Sequence, residues 1–181
     1  MIATYLMCLI ASVLMHSPTE AKLIYKFSSD APSSDWTVVD DVVMGGQSEG
    51  AFQINDNGHG VFFGKVSLAN NGGFSSIRHN PESILTEHYQ IVAIRLKGDG
   101  STYQLRLKSD AEDMASYVHS FETNGEWEII ELPLKGFYPS FRGNKLNKPN
   151  FSADQIEEIS ILIGNKVSQN FELEMDYIQL Q

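Results

Sequence analysis

Thiol chemistry is almost absent from this 181-residue sequence: Cys8 is its single cysteine, and it lies inside an apolar N-terminal stretch. Removing that stretch leaves no cysteine, which excludes disulfides, thiolate zinc sites and cysteine nucleophiles. Basic residues are scarce too, with 13 Lys and Arg against 23 Asp and Glu for a net charge of −10. Neutralising a phosphate backbone needs a basic face, so nucleic acid is excluded as a general partner. Long apolar runs are missing. The longest, Ile2 to Met15, has 14 residues, whereas a membrane-spanning helix needs about 20. His59, His79, His88 and His119 show no metal-ligand spacing, which argues against a transition-metal site.

What is present at the N-terminus fits the apolar region of a signal peptide, which takes about 7 to 15 residues. A cut after Ala21, with small Thr19 two positions earlier, makes residues 1–21 a signal peptide and 22–181 a single domain without a stable membrane span. A domain of that size buries roughly 70% of its unfolded surface, enough for a core without staples.

From residue 22 the dominant period is two. Val92, Ile94 and Leu96 alternate with Arg95 and Lys97, and Tyr103, Leu105 and Leu107 alternate with Gln104, Arg106 and Lys108. Such patterns read as half-buried antiparallel strands. Hairpin turns are predicted at Gly98-Asp99-Gly100, Asn124-Gly125 and Asp56-Asn57-Gly58, where glycine tolerates positive φ. Further strands are predicted over 23–27, 36–43, 48–54, 61–68, 74–79, 117–121, 127–131, 158–163 and 171–180. The fold class is therefore all-β, an antiparallel jelly-roll β-sandwich. In the last strand Phe171, Leu173, Met175 and Tyr177 share one face, yet Ile178 and Leu180 fall on the acidic parity, which predicts a bulge near Tyr177. One short helix is predicted over 153–157, because Ser152 and Gln155 form a capping-box pattern. Residues 133–150 read as a long surface loop.

Enzyme signatures fail on context. Gly46-Gln47-Ser48-Glu49-Gly50 matches the nucleophile elbow G-x-S-x-G, which needs a strand, a turn and a helix, but Ala51 to Ile54 continue as strand. The acidic clusters Asp40-Asp41 and Asp110 to Asp113 are the candidates for calcium, a hard cation that prefers oxygen ligands. A solvated acidic loop is the commoner role of such clusters, and no cofactor is expected. Asp41, Arg78 and Asp99 sit in Gly-rich turns, where at least one Asp is expected to pair with Arg78.

Two segments carry a family resemblance. One runs from Trp36 through Asp40-Asp41-Val42-Val43-Met44-Gly45-Gly46-Gln47-Ser48. The other runs from Phe63 through Asn70-Asn71-Gly72-Gly73-Phe74 to Arg78. They resemble the complex I intermediate-associated protein 30 family, and the likeness continues through Gly98-Asp99-Gly100, Tyr117, Trp127, Phe137 to Gly143 and Phe171 to Ile178. The resemblance implies a galactose-binding-like β-sandwich. It also implies kinship with mitochondrial assembly factors of respiratory complex I, which bind without catalysing. The first 21 residues contain no Arg, unlike a transit peptide, so the expected location is exported, periplasmic or extracellular.

The expected function is a non-catalytic module that holds a partner protein, or, alternatively, a carbohydrate-binding module of the galactose-binding-like type that holds a glycan. Binding candidates are Trp36, Asp40, Asp41, Asn71, Arg78, Asp99 and Trp127, with Tyr138, Phe141 and Arg142 in a cation-rich loop. Gly45, Gly46, Gly72, Gly73, Gly98 and Gly100 are expected to shape the turns.

Overall fold

The computed structural model describes residues 20–181; Cys8 and most of the expected signal peptide lie outside the described residues. The strands in chain order are β1 (Lys22–Lys26), β2 (Thr37–Asp40), β3 (Glu49–Ile54), β4 (Gly60–Val66), β5 (Ser75–His79), β6 (Ile84–Leu85), β7 (Ile91–Lys97) and β8 (Thr102–Lys108). There follow β9 (Ser116–Glu122), β10 (Trp127–Pro133), β11 (Tyr138–Phe141), β12 (Asn144–Lys145), β13 (Gln155–Ile156), β14 (Glu158–Ile163) and β15 (Gln169–Leu180). One sheet runs β10-β7-β15-β4-β3, with β1 also on β15, and the other runs β12-β11-β9-β8-β14-β5-β2. The pairings are antiparallel throughout.

The period-two pattern puts one parity of each strand between the sheets. Tyr103, Leu105, Leu107, Ile159, Ile161 and Ile163 enter from the seven-stranded sheet, and Val92, Ile94, Leu96, Leu173 and Met175 from the other, all fully buried. Each large apolar side chain contributes about 1.5–3 kcal/mol by leaving water. The expected bulge is present as a register shift between Met175 and Tyr177, which returns Ile178 and Leu180 to the core. At the bulge the Asp176 carboxylate accepts hydrogen bonds from Lys26 and Arg95, and its carbonyl accepts the Phe27 N–H at 2.9 Å.

Two of the three predicted hairpins are corrected. Asp56-Asn57-Gly58 joins the paired strands β3 and β4, but Gly98-Asp99-Gly100 and Asn124-Gly125 carry the chain from one sheet to the other. Gly100 (φ 84°) and Gly125 (φ 86°) still supply left-handed turns. The glycine signal reports a tight reversal and cannot say which sheet receives the next strand. The helix predicted over 153–157 is likewise absent. Gln155–Ile156 pairs with Ile84–Leu85 as strand, burying Ile156, while Thr86 N–H donates to the Asp154 carbonyl at 2.8 Å. Five residues hardly repay helix nucleation when strand pairing buries an isoleucine. The helical turns are short 3-10 segments elsewhere, such as Asp41–Met44. The long loop is corrected as well: Tyr138–Phe141 pairs with β9, Phe137 is fully buried, and Arg142-Gly143, both at positive φ, turn the chain into β12.

Candidate functional site

The two family-like segments meet at Asp41, which is fully buried. Its carboxylate accepts hydrogen bonds from the Ser48 N–H (2.9 Å), the Ser48 hydroxyl (2.5 Å), the Gly73 N–H (2.5 Å) and the Phe74 N–H (3.2 Å). Burial alone would raise the pKa of this carboxyl, but the Ser48 hydroxyl and the Gly73, Ser48 and Phe74 amides hold it below the ordinary range. Close approach explains the glycines: a Cβ on Gly46 would run into the Asp41 carboxylate, and one on Gly72 would stand 2.5 Å from Asp41 Oδ2. Asp40 makes a parallel tie, accepting from the Gly50 N–H at 2.9 Å and the Ser75 hydroxyl at 2.5 Å. Ser48 is therefore a fastener: it is fully buried, it donates to Asp41, and its oxygen accepts the Ser67 N–H at 3.0 Å. The 3-10 turn held by this knot projects Val42, Val43 and Met44, which are 59%, 75% and 61% exposed.

On the outer face of the seven-stranded sheet lies a cleft of about 420 Å³. Its floor is the polar parity of the strands that line the core: Gln104, Arg106 and Lys108 from β8, Glu158 and Ser160 from β14, and Arg78 from β5. Met44 and Phe74, carried by the Asp41 knot, wall one side, and Met114, Phe141 and Arg142 contribute elsewhere. Glu158 Oε2 lies 3.3 Å from Arg78 Nε and 3.2 Å from Lys108 Nζ, with the Glu158 side chain only 4% exposed. Arg106 differs. Its Nε and Nη2 both donate to Gln104 Oε1, at 3.1 and 2.9 Å, and it has no carboxylate partner among the described residues. Burial lowers its pKa, with Tyr138 acting in the opposite direction, yet a guanidinium stays charged in proteins. Three cations around one carboxylate give the floor a surplus of two positive charges on a chain whose net charge is −10.

Of the sequence candidates, the cleft brings together Arg78, Phe141 and Arg142 with the turn residue Gly73. Tyr138 belongs to the same sheet face through its pairing with Val118, itself opposite Arg106. The expected pairing of Arg78 with Asp41 or Asp99 is corrected, because the partner of Arg78 is Glu158. Asp99 instead accepts from Ser101 N–H, the Tyr103 hydroxyl and Glu172 N–H, at 3.0, 3.1 and 3.1 Å. Trp36 is buried in an aromatic group with Tyr25, Phe27, Phe52 and His79. Trp127 lies on the other sheet, under the Arg95 guanidinium at 4.7 Å and beside His59. Asn71, at φ 61°, and Gly73, at φ 141°, form the turn that reaches Asp41, and a Cβ on Gly98 would meet Thr123. Gly45, at φ 88°, ends the Asp41–Met44 turn. The oxygens of the calcium candidates Asp40 and Asp41 face hydrogen-bond donors, and Asp110 accepts the Glu112 N–H. No metal-holding group of three or more His, Cys, Asp or Glu occurs among the described residues. Arg106, Lys108 and Glu158 were not singled out as candidates. Their signal was the polar parity of two strands, which sequence reads as solvated surface until β14 pairs with β8 and sets Glu158 beside Lys108.

A model of the family described as Complex I intermediate-associated protein 30 matches residues 25–175. Curated relatives include the mitochondrial complex I intermediate-associated protein 30 of Mus musculus, 21% identical, with the match covering 88% of this chain and 56% of that protein. The probable mitochondrial counterpart of Caenorhabditis briggsae is 23% identical over 88% and 54% of the two chains. The chain thus spans about half the length of the curated relatives it matches. Among solved structures, the family 11 carbohydrate-binding module of Clostridium thermocellum, in complex with a β-1,3-1,4-mixed-linked tetrasaccharide, gives a TM-score of 0.67 at 16% identity, covering 91% of this chain and 96% of that one. This agreement establishes the jelly-roll sandwich. The mitochondrial relatives overturn the expected exported, periplasmic or extracellular location. That expectation rested on the composition of 21 residues, whereas the relatives match along the folded domain.

Proposed function

The chain belongs to the complex I intermediate-associated protein 30 family, and from that membership we propose that it is a mitochondrial, non-catalytic assembly module that holds a protein partner in the cleft of its seven-stranded sheet. The observation that carries this reading is convergence. The family-motif knot and the Arg142 turn, far apart in sequence, both line one cleft with a cationic floor. The apparent nucleophile Ser48 is fixed within the knot, so the motif serves presentation of Met44 and Phe74. Glycan binding, known for the family 11 module of similar fold, is less well supported. Tyr138 carries Lys145 Nζ at 5.0 Å and Phe141 carries the Arg142 guanidinium at 5.2 Å, so each ring already has a cation over one stacking face.

The test is to fill the cleft. Ser160→Trp places a ring on its floor, and affinity purification of the full chain from mitochondria should then recover complex I subunits at a level lower by about tenfold or more, which corresponds to about 1.4 kcal/mol. The melting temperature serves as the folding control. Undiminished recovery with a folded variant, or recovery of a glycan in place of the subunits, rejects the reading.

A further inference from the structure

Arg106 offers five N–H donors in a planar fork, and the recorded bonds use two of them, both on the single oxygen Gln104 Oε1. The cleft's own carboxylate, Glu158, is engaged with Lys108 and Arg78. Arg78 Nε, although 3.3 Å from Glu158, is buried without a well-aligned hydrogen-bond acceptor. Two guanidinium groups on one floor thus retain donors suited to a planar oxyanion, which Arg binds in bidentate fashion. Around that floor stand Met44, Phe74, Met114, Phe141 and Leu162. Methionine is an adaptable apolar surface favoured where varied partners must be accepted. We propose that the cleft binds an acidic, apolar-studded peptide segment of a partner protein, one carboxylate seated on the Arg106 guanidinium and apolar side chains set against Met44, Met114 and Phe141. The proposal rests on the reading of the cleft as the partner-holding site and names what it recognises. A free phosphate would satisfy the guanidinium groups and leave the apolar wall uncovered. A neutral sugar would leave the cations without counter-charge. The positive floor within an acidic chain also steers acidic segments to this face and away from the rest of the surface.

The experiment titrates the full chain by calorimetry with a synthetic peptide alternating Glu and Leu, its counterpart alternating Gln and Leu, inorganic phosphate, and the mixed-linked tetrasaccharide. The Glu peptide should bind at least about tenfold more tightly than the Gln peptide, because a charge-assisted hydrogen bond is roughly twice as strong as a neutral one, and the preference should weaken with salt. Arg106→Gln should lower affinity for the Glu peptide by a similar factor. Arg106→Lys, which keeps the charge but loses the fork, should recover it only in part. Equal binding of both peptides, tighter binding of phosphate or tetrasaccharide, or indifference to Arg106→Gln and Arg106→Lys overturns the proposal. Its failure is distinguishable from that of the holding role: if Ser160→Trp still abolishes partner recovery while the Glu peptide shows no preference, the cleft holds its partner by other chemistry.

Discussion

Asp41→Ala should lower the melting temperature by about 10 °C. Its carboxylate is the common acceptor for two loops, and its loss leaves the amides of Ser48, Gly73 and Phe74 without the partner they now share. Leaving a buried donor unsatisfied costs about 1–3 kcal/mol, Asp41→Ala does so to several donors at once, and each kcal/mol shifts the melting point by about 2–4 °C in a domain of this size. The pH dependence follows from the same hydrogen bonds. Because the folded pKa of Asp41 is depressed, its contribution is fully present above the unfolded value of about 3.9 and is lost as pH falls below that through the folded value. Asp176 adds a second contribution of the same sign, since burial raises its pKa but the Lys26 and Arg95 partners lower it further. Urea denaturation of the natural chain should therefore show stability falling below about pH 4, and Asp41→Asn should flatten that fall. A melting point within a degree or two of the parent for Asp41→Ala would remove the knot from the account.

The second large effect is expected at Glu158. In Glu158→Ala the Lys108 ammonium, with its side chain only 11% exposed, is left in the cleft floor without a carboxylate. Removing one partner of a buried pair costs about 3–5 kcal/mol. Arg78 is affected too, because the Nε that faces Glu158 is itself buried although the side chain as a whole is 42% exposed. The double variant Glu158→Met with Lys108→Met should recover most of the loss, since a buried pair replaced by apolar side chains of similar size is often neutral. Chemical denaturation of the single and double variants decides the matter. A Glu158→Ala chain as stable as the parent would mean that Lys108, which also donates to the Ala111 carbonyl at 3.1 Å, needs no counter-charge.

Most of the longer strands were legible because the core demands alternation, the two-residue strands β6, β12 and β13 were too short to show it, and the bulge at Met175–Tyr177 was legible because Ile178 and Leu180 broke it. Sheet membership was not. The turns at Gly100 and Gly125 look like hairpin turns, and only the packing of both flanking strands against one core shows that the chain changes sheet there. β11 was hidden by Pro139, which strand reading penalises, and by the cations around it; its buried Phe137 neighbour was the available counter-signal. Of the site, the motif glycines were readable and their cause was not. Gly46 and Gly72 are required by a carboxylate brought from Asp41, a contact that no local spacing announces. The cleft floor was hidden because Arg106 and Lys108 look like solvated charges until β14 sets Glu158 beside them.

The place of β15 bears on how the domain comes into being on the ribosome. Residues 169–180 occupy the middle of their sheet, paired with β4 and β1 along one edge and β7 along the other. In a nascent chain β1, β4 and β7 each keep an edge open until this segment, translated after all of them, arrives. Unpaired edges of this kind invite association with other chains, and pairings this distant in sequence form slowly. This sheet therefore cannot close before Gln169–Leu180 emerges, which makes the interval before it the period in which a chaperone has most to protect.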